Sequence, residues 1–326
     1  MRAIVITRPG EADVLEERDV AAPHADASQI RVRVHASALN RADLSQRRGS
    51  YPAPPGVSAD IPGLEYAGEV ESIGEGVTQW KLGDRVMGLV GGAAHAELVC
   101  TNAREAMRIP AGLTYEEAAA IPEAFLTAYD AIFVQLRMQI GERLLIHAAG
   151  SGVGTAAIQL AKEGGVRTIG TSRSAAKLAK AKELGLESSI DSSSDNWADR
   201  VLDISPGGVD AVLDLVGGSY LAGNMKVVVS RGRIILVGLT GGRTQEIQLG
   251  VMLHKRLHIF GTVLRSRSTD EKISLAEEFA ERILPSFDDG SLVPVIDRVM
   301  PFTEIRRAHD VMESNDTFGK IVLSWT

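Results

Sequence analysis

The sequence contains little cysteine, no excess of positive charge and no long apolar run, and each shortage excludes a class of protein. Its single cysteine, Cys100, excludes an internal disulfide and a metal site built from several cysteines. A net charge of −7 argues against a surface that coats nucleic acid. No segment approaches the ~18 consecutive apolar residues of a membrane span, and residues 2–7 have the pattern of a strand rather than of a signal peptide. We therefore expect a cytoplasmic protein without nucleic-acid or membrane partners.

The 326 residues suffice for about two domains, and the patterns along the chain divide it. Short β-type runs at 30–34, 66–73, 85–89 and 94–100, punctuated by glycine and proline, predict a β-rich, barrel-like domain over residues 1–122. Residues 123–264 alternate helices with strands, which predicts a doubly wound parallel sheet covered on both faces. These strands are expected at 144–147, 166–171, 211–216, 233–237 and 257–263.

Residues 265–326 return to the first pattern. They predict a helix at 268–283, a strand pair near 293–299, a helix at 303–314 and a last strand at 320–325. We expect the last strand to rejoin the first domain, which then comprises 1–122 and 265–326. The predicted fold class is α/β, with a β-rich barrel and a separate parallel-sheet domain at 123–264.

The segment 143–185 has the order of a dinucleotide-binding βαβ unit: a short strand, a glycine-rich turn, a helix and a second strand. A strict G-x-G-x-x-G motif would place glycine at 149, 151 and 154, and only the third is kept. The predicted pyrophosphate contacts are the backbone N–H groups and the positive helix end at Ser151, Gly152, Val153 and Gly154. An ordinary tight turn between a strand and a helix is the alternative.

The end of the second strand indicates which nucleotide is bound. It reads Thr-Ser-Arg, where an NAD-binding protein would carry a carboxylate for the ribose 2′-hydroxyl. Ser172, Arg173 and Lys177 instead gather at the start of a helix that Ser174 caps and Gly185 ends. A 2′-phosphate there would gain charge-assisted hydrogen bonds of about 1.5–3 kcal/mol each, so the pattern predicts NADPH. The alternative is that Arg173 and Lys177 are solvated surface cations.

Two further segments are expected to border the same crevice. They close the fourth and fifth strands of the parallel sheet, and doubly wound folds bind their ligands at the C-terminal ends of strands. The residues concerned are Val216, Gly238, Leu239 and Thr240.

From end to end, the sequence resembles a medium-chain dehydrogenase/reductase and is most similar to the zinc-independent, zeta-crystallin-like quinone oxidoreductases. The resemblance rests on ASALNRADL (36–44), GLEYAGEVESIGEGVTQWKLGDRV (63–86), AAAIPEAFLTAY (118–129), HAAGSGVGTAAIQLAK (147–162) and FGKIVL (318–323). It implies a GroES-like N-terminal barrel, a Rossmann domain, and a cleft between them for nicotinamide and substrate. It also implies homodimers, which commonly join through the edge strands of their Rossmann sheets.

The same resemblance bears on metal content. Alcohol-dehydrogenase-like members carry a zinc-ligating cysteine in the stretch matching 40–43 and a histidine at the position of Leu64, and they have a cysteine-rich lobe that this chain lacks. A catalytic zinc needs three protein ligands, so we expect no metal. Without a metal, the implied acceptor is one that takes hydride readily, a quinone or an activated enone. No strong general acid is then required, because the product oxyanion can take its proton from solvent.

Three residues in the family-matched cleft are candidates for contact with the acceptor. We expect Asn40 to donate its amide to the acceptor oxygen, Tyr51 to stack on a flat ring or donate its hydroxyl, and Asp43 to orient a neighbour or contact the nicotinamide ribose. Asn40 and Asp43 also fit a helix N-cap, and Tyr51 also fits a packing residue. Further residues expected near the cofactor are Thr127, Arg265 and Lys320, with surface salt bridges as the alternative for the last two.

The leading hypothesis is therefore NADPH-dependent reduction of quinones. The nearest alternative is an alkenal, enone or enoyl-thioester reductase, which a critical acid residue would favour because its product needs a proton on carbon. A non-enzymatic NADPH-binding structural or redox-sensing protein is an alternative of another class. RNA binding is disfavoured by the acidic net charge and by the lack of a motif that combines aromatic and basic residues.

Overall fold

The computed structural model describes residues 1–194 and 196–325, and the chain divides into two compact units. The first unit comprises Met1–Leu126 and Leu264–Thr326, and the second comprises Thr127–Val263. The sequence places the domain limits nearby, at 122/123 and 264/265. No helix in the described part of the chain is both long and apolar enough to cross a membrane.

The first unit begins with a β-rich segment. In the ten-residue strand that starts at Gln29, the buried residues Ile30, Val32 and Val34 alternate with more exposed ones, which is the period of a strand with one face in a core. The strands are β1 (Arg2–Ile6), β2 (Leu15–Asp19), β3 (Gln29–Ala38), β4 (Glu65–Ile73), β5 (Arg85–Leu89), β6 (Leu98–Asn102) and β7 (Ala106–Arg108). The helices are α1 (Arg41–Arg47), α2 (Tyr115–Ala119) and α3 (Pro122–Tyr129), and the limit between the two units falls inside α3.

The second unit alternates strands and helices around one six-stranded sheet. Its strands are β8 (Arg143–Ile146), β9 (Arg167–Ser172), β10 (Ser188–Asp191), β11 (Val209–Asp214), β12 (Val228–Leu236) and β13 (His258–Gly261). Its helices are α4 (Gly152–Glu163), α5 (Ala175–Glu183), α6 (Trp197–Ile204), α7 (Leu221–Val227) and α8 (Leu249–Lys255), with a π-helical turn at Asp130–Gln135.

The order of strands in this sheet is β10-β9-β8-β11-β12-β13, and every neighbouring pair is parallel. Numbered within the unit, this is 3-2-1-4-5-6, the order of the doubly wound dinucleotide-binding fold. The order reverses between β8 and β11. The segments that follow these two strands therefore flank the crevice where such folds bind their ligands.

The chain then returns to the first unit. This segment forms α9 (Thr269–Arg282), α10 (Pro285–Asp288), β14 (Ile296–Pro301), α11 (Ile305–Glu313) and β15 (Lys320–Ser324). Short 3-10 turns along the chain cover Ala12–Val14, Gly218–Tyr220 and Phe302–Glu304. As the sequence predicts, the last strand rejoins the first part of the chain, because β15 lies antiparallel to β3. The predicted strand pair near 293–299 is wrong: this region forms the single strand β14, whose partner is β15.

The core of the first unit joins both of its chain segments. Ile30 and Val32 of β3 lie in one buried apolar cluster with Ile321 and Leu323 of β15. The seven-stranded sheet has the order β14-β15-β3-β4-β5-β7, and β6 also pairs with β3. The predicted fold class, a β-rich unit plus a doubly wound parallel sheet, is confirmed.

Candidate functional site

In the second unit, the turn between β8 and α4 brings backbone very close to backbone. Ser151 caps α4, and its hydroxyl accepts a hydrogen bond from the Gly154 N–H at 3.1 Å. A Cβ atom on Gly154 would lie 2.5 Å from the carbonyl oxygen of Ala148, so only glycine fits there. The first N–H groups of a helix have no partner within it, and here they belong to Gly152 and Val153. This turn can therefore present N–H donors and the positive end of α4 to an anion.

The next turn, between β9 and α5, is capped as the sequence predicts. Ser174 is the N-cap residue and accepts from the Lys177 N–H at 3.4 Å, while the Ser172 hydroxyl accepts from the Ser174 N–H at 3.2 Å. The helix ends at Glu183, shortly before Gly185, whose φ of +109° favours glycine. Ser172, the exposed Arg173 and Lys177 thus lie close in sequence, between the end of β9 and the first turn of α5.

A carboxylate that the sequence reading missed lies beside this turn. Asp191 ends β10 and is the register partner of Ser172, and its carboxylate accepts the Ser193 N–H at 2.8 Å. That hydrogen bond lowers the pKa of Asp191, so the group is ionised at neutral pH. A 2′-phosphate bound at Ser172 would meet the cations of Arg173 and Lys177 and also this anion on the neighbouring strand.

The residues predicted after β11 and β12 lie together. Asp214 ends β11 and accepts from the N–H groups of Val216 and Gly217, both at 2.8 Å. The Val216 carbonyl accepts the Gly241 N–H at 2.7 Å, and a Cβ on Gly238 would lie 2.5 Å from the Leu215 carbonyl oxygen. In the segment after β12, Leu239 is exposed and the Thr240 hydroxyl donates to the Leu215 carbonyl.

A buried polar network that the sequence reading missed holds these turns in register. His147 follows β8; its Nδ1 lies 2.8 Å from the Thr171 hydroxyl of β9, and its Nε2 lies 2.7 Å from Asn224 Oδ1 of α7. The Asn224 amide donates to Asp214 Oδ2 at 2.8 Å. Burial lowers the pKa of His147, so the ring is neutral and can donate with one nitrogen and accept with the other. The histidine stood in the quoted motif 147–162, but its partners lie 24 and 77 residues away.

In the first unit, the half-buried Asn40 forms a cluster with the buried Glu65 and Lys320. The Lys320 ammonium donates to the Leu39 carbonyl at 2.8 Å and to Asn40 Oδ1 at 2.6 Å, and it lies 2.7 Å from Glu65 Oε1. Asn40 Nδ2 donates to the same Glu65 oxygen at 2.8 Å and to the Ala38 carbonyl at 3.3 Å. Both amide hydrogens of Asn40 are thus engaged inside the unit. The alternative of a surface salt bridge for Lys320 is wrong, because its side chain is 6% exposed and that of Glu65 is 0% exposed.

Asp43 accepts hydrogen bonds at the start of α1. Its carboxylate accepts the backbone N–H of Asn40 at 2.7 Å, as in a capping box, and that of Gly63 at 3.0 Å. Burial raises the pKa of Asp43 to about 6, although these two donors and the nearby Lys320 and Arg265 oppose the rise. The predicted N-cap arrangement is therefore present, and it holds Asp43 close to two buried cations.

Tyr51 lies under a buried arginine. The Arg265 guanidinium is 4.8 Å from the centre of the Tyr51 ring and donates to the Tyr51 carbonyl at 3.2 Å. It also donates to Gln46 Oε1 at 2.7 Å and to the Gly91 carbonyl at 2.6 Å. Arg265 is buried, so the alternative of a surface salt bridge is wrong for this residue as well. Burial raises the pKa of Tyr51, which keeps its phenol protonated at neutral pH.

Glu123 is a residue of the first unit that the sequence did not predict as part of the site. Its backbone N–H donates to Glu65 Oε2 at 2.7 Å, and its side chain lines a cavity with Leu64, Leu126 and Leu275. Burial and the neighbouring Glu65 raise the pKa of Glu123 to about 8. Both glutamates stood in the quoted motifs, but 58 residues separate them. The remaining predicted residue, Thr127, is buried in α3.

The position of Leu64 is filled by apolar packing, since this side chain is 2% exposed. In the part of the chain that the structure describes, no group of three or more histidine, cysteine, aspartate or glutamate side chains is arranged to hold a metal ion.

Two protein-family models match the chain. The model described as "Alcohol dehydrogenase GroES-like domain" matches residues 26–130, and the model described as "Zinc-binding dehydrogenase" matches residues 152–282. The first match lies almost wholly in the first unit, and the second spans most of the second unit.

The chain is similar to several proteins over nearly its whole length. The human synaptic vesicle membrane protein VAT-1 homolog is 32% identical over 99% of this chain and 86% of its own. A quinone oxidoreductase of Pseudomonas aeruginosa is 34% identical over 96% of each chain. The crystal structure of Escherichia coli quinone oxidoreductase complexed with NADPH is similar with a TM-score of 0.90 and 27% identity, covering 99% of this chain and 100% of that one.

Proposed function

Because the chain belongs to the medium-chain dehydrogenase/reductase superfamily, among its quinone oxidoreductase-type members, we propose that it reduces quinones with NADPH. The observation that carries the proposal is the turn from Ala148 to Gly154, at the point where the order of the parallel sheet reverses. The same position is the ligand crevice of doubly wound folds in general, so this unit is the nucleotide-binding part of an oxidoreductase.

The residues after the first strands fit a phosphorylated dinucleotide. The turn at Ser151–Gly154 would hold the pyrophosphate, since Gly154 leaves no room for a side chain and the N-terminus of α4 offers N–H donors to an anion. The 2′-phosphate would lie against Ser172, Arg173 and Lys177. When bound, NADPH would supply the hydride. The segments that follow β11 and β12 would complete this site with Val216, Gly238, Leu239 and Thr240.

The first unit would supply the residues for the acceptor. Asn40 and Leu64 stand where zinc-dependent relatives carry ligands; the amide of Asn40 holds Lys320 and Glu65, and Leu64 packs in apolar surroundings. Without a Lewis acid, the acceptor must spread negative charge into its own conjugated system, as quinones do. Tyr51 offers one ring for contact with a flat acceptor, while Arg265 and Asp43 fix the charge beside it.

An alkenal or enone is the second candidate substrate, because the carboxyl group of Glu123 can protonate the product of either acceptor class. The product of enone reduction needs a proton, and a carboxyl group with a pKa near 8 can provide one at neutral pH. The two substrate classes share the hydride donor and differ in the group that accepts it. Their relative rates therefore decide between them.

The test is NADPH oxidation, followed by absorbance, against a panel of ortho-quinones, para-quinones and alkenals. We expect the highest kcat/KM with a quinone. A higher value for alkenals would support the second candidate. NADPH binding without oxidation by any member of the panel would contradict both, and would favour a structural or redox-sensing role.

We also propose that the protein works as a homodimer on small molecules in the cytoplasm, without membrane or nucleic-acid partners. The edge position of β13 in the parallel sheet supports this, because an edge strand leaves backbone donors and acceptors for another chain. Light scattering during gel filtration should give about twice the monomer mass of 34.8 kDa, and a monomer would contradict the proposal.

A further inference from the structure

We infer that Glu123 is a catalytic residue of the proposed reduction, a general acid whose carboxyl group protonates the acceptor oxygen as hydride arrives. The inference rests on the proposed function and adds to it the source of the proton. It replaces the simpler expectation that solvent alone protonates the product.

The position of Glu123 is fixed by Glu65. The Glu123 N–H donates to Glu65 Oε2 at 2.7 Å, so the start of α3 is tied to β4. The other oxygen of Glu65 holds Lys320 and Asn40. Glu123 therefore lies beside the cluster that contains the candidate acceptor residues: the charge of Asp43 raises the pKa of Glu123, and the charge of Glu123 raises the pKa of Tyr51.

No cation neutralises Glu123 directly. The Lys320 ammonium has three hydrogens, and these are used by Leu39, Asn40 and Glu65. Arg265 directs its donors to three oxygens, those of Gln46, Tyr51 and Gly91. Among the described residues, no lysine, arginine or histidine forms an ion pair with Glu123, although Arg265 and Lys272 line the same cavity together with several leucines. Glu123 is half-buried and lies beside the carboxylate of Glu65, and a carboxyl group in such a place favours its neutral form.

Opposing effects act on the pKa of this carboxyl group, and burial is the largest of them. The start of a helix favours the ionised form, as do Lys320 and Arg265, while burial, Glu65 and Asp43 disfavour it. The outcome is a pKa of about 8, so the carboxyl group is mostly protonated at pH 7. The charged and titratable groups that face Glu123 or line its cavity are Glu65, Lys320, Asp43, Arg265, Tyr51, Glu105 and Lys272.

The proton transfer balances the hydride transfer. One quinone oxygen would gain the hydride that NADPH supplies, which leaves NADP⁺, and the displaced electron pair would move through the conjugated ring to the other quinone oxygen. The O–H bond of Glu123 breaks as an O–H bond forms on that oxygen, which gives a neutral quinol from a quinone. Solvent then returns a proton to the Glu123 carboxylate, so each turnover consumes one proton from water along with one NADPH.

The test compares Glu123→Gln with the wild type and with Glu105→Gln, a change at a second carboxyl group that lines the same cavity. General-acid catalysis contributes 10²–10⁴-fold, so kcat of Glu123→Gln should fall about 100-fold, with the Kd for NADPH and the melting temperature unchanged. Glu105→Gln should stay within about threefold of the wild type. The fall should be smaller with chlorinated quinones, whose more acidic quinol needs less help from an acid.

The pH profile gives a second readout. In the wild type, kcat should decline above about pH 8, where Glu123 loses its proton. Glu123→Gln should lack this decline, because its amide does not titrate. A wild-type rate that is constant or rises from pH 7 to 9 would overturn the inference, even if the variant failed to fold.

A third readout needs no turnover. The infrared difference spectrum between the wild type and Glu123→Gln should contain a protonated-carboxyl band at pH 7 that disappears above pH 9. A carboxylate band at pH 7 would overturn the inference, as would equal kcat values for the two proteins. Equal kcat values would contradict only the role of Glu123 and would leave the proposed function unaffected. If no acceptor in the panel supported NADPH oxidation by the wild type, both the proposed function and the role of Glu123 would be wrong.

Discussion

Lys320 and Glu65 form an ion pair inside the first unit, with Nζ 2.7 Å from Oε1 and almost no exposed surface on either side chain. The two residues belong to the two separate chain segments of this unit. Lys320 opens β15, and Glu65 opens β4, so the pair joins the returning C-terminal segment to the N-terminal strands.

Breaking this pair on one side should destabilise the protein strongly. Lys320→Met leaves Glu65 buried without its cation, and removing one partner of a buried pair costs about 3–5 kcal/mol. The double variant Lys320→Met with Glu65→Leu should recover part of that loss, because no charge then remains buried without a partner. Urea denaturation gives the free energies of unfolding.

The exposed pair between Arg104 and Glu277 is the matched control in the same unit. Arg104→Met should cost less than about 1 kcal/mol, since solvent screens exposed ion pairs. If Lys320→Met cost no more than Arg104→Met, the buried pair would not stabilise the fold as described.

The cations at the start of α5 should determine the preference for NADPH. In the wild type, we expect NADPH to bind at least about tenfold tighter than NADH, because one charge-assisted hydrogen bond of 1.5–3 kcal/mol amounts to one or two decades of affinity. Lys177→Ala should raise the Kd for NADPH about tenfold and leave that for NADH unchanged. Fluorescence titration of the reduced cofactors measures both constants.

Lys182→Ala removes the same charge from the last turn of α5 and should change neither constant. Comparable Kd values for NADPH and NADH in the wild type would contradict the assignment of the 2′-phosphate site. They would indicate that Asp191, beside Ser172 in the sheet, offsets the cations.

Tyr51 should contribute contact rather than a proton. Tyr51→Phe keeps the ring under Arg265 and removes only the hydroxyl, so kcat with a quinone should change by less than about tenfold, or ~1.4 kcal/mol. Tyr51→Ala removes the ring as well and should lower kcat/KM further, because Arg265 loses the surface that it stacks on. A thousandfold loss in Tyr51→Phe would make the phenol an obligatory proton donor, and would remove that role from Glu123.

Local signals in the sequence account for the parts that could be predicted. The cap at Ser174, the glycine after α5 and the limits of β5 each depend on a few neighbouring residues, and the structure agrees with all three. The predicted strand pair near 293–299 failed for the opposite reason. The alternation there indicates a strand, but the partner strand β15 begins more than 20 residues later.

The buried polar groups could not be predicted because their partners are distant in sequence. Glu65 is 58 residues from Glu123 and Asn40 is 280 residues from Lys320, and neither pair has a characteristic spacing. The residue type of Glu65 carried some signal, since a carboxylate inside an apolar motif needs partners on folding. Which partner each one finds is decided by the order of strands in the sheet.

The His147–Asn224–Asp214 network should control both stability and nucleotide binding. Asn224→Leu removes the amide between His147 Nε2 and Asp214 Oδ2 and leaves both buried atoms without that partner, at about 1–3 kcal/mol each. Asp214 also holds the turn at Val216 and Gly217, so we expect the Kd for NADPH to rise as well. Gln139→Leu, which alters an exposed amide of the same unit, should leave stability and Kd nearly unchanged. Urea denaturation and fluorescence titration measure the two effects. A destabilised variant with wild-type affinity would mean that the turn after β11 keeps its shape without the network.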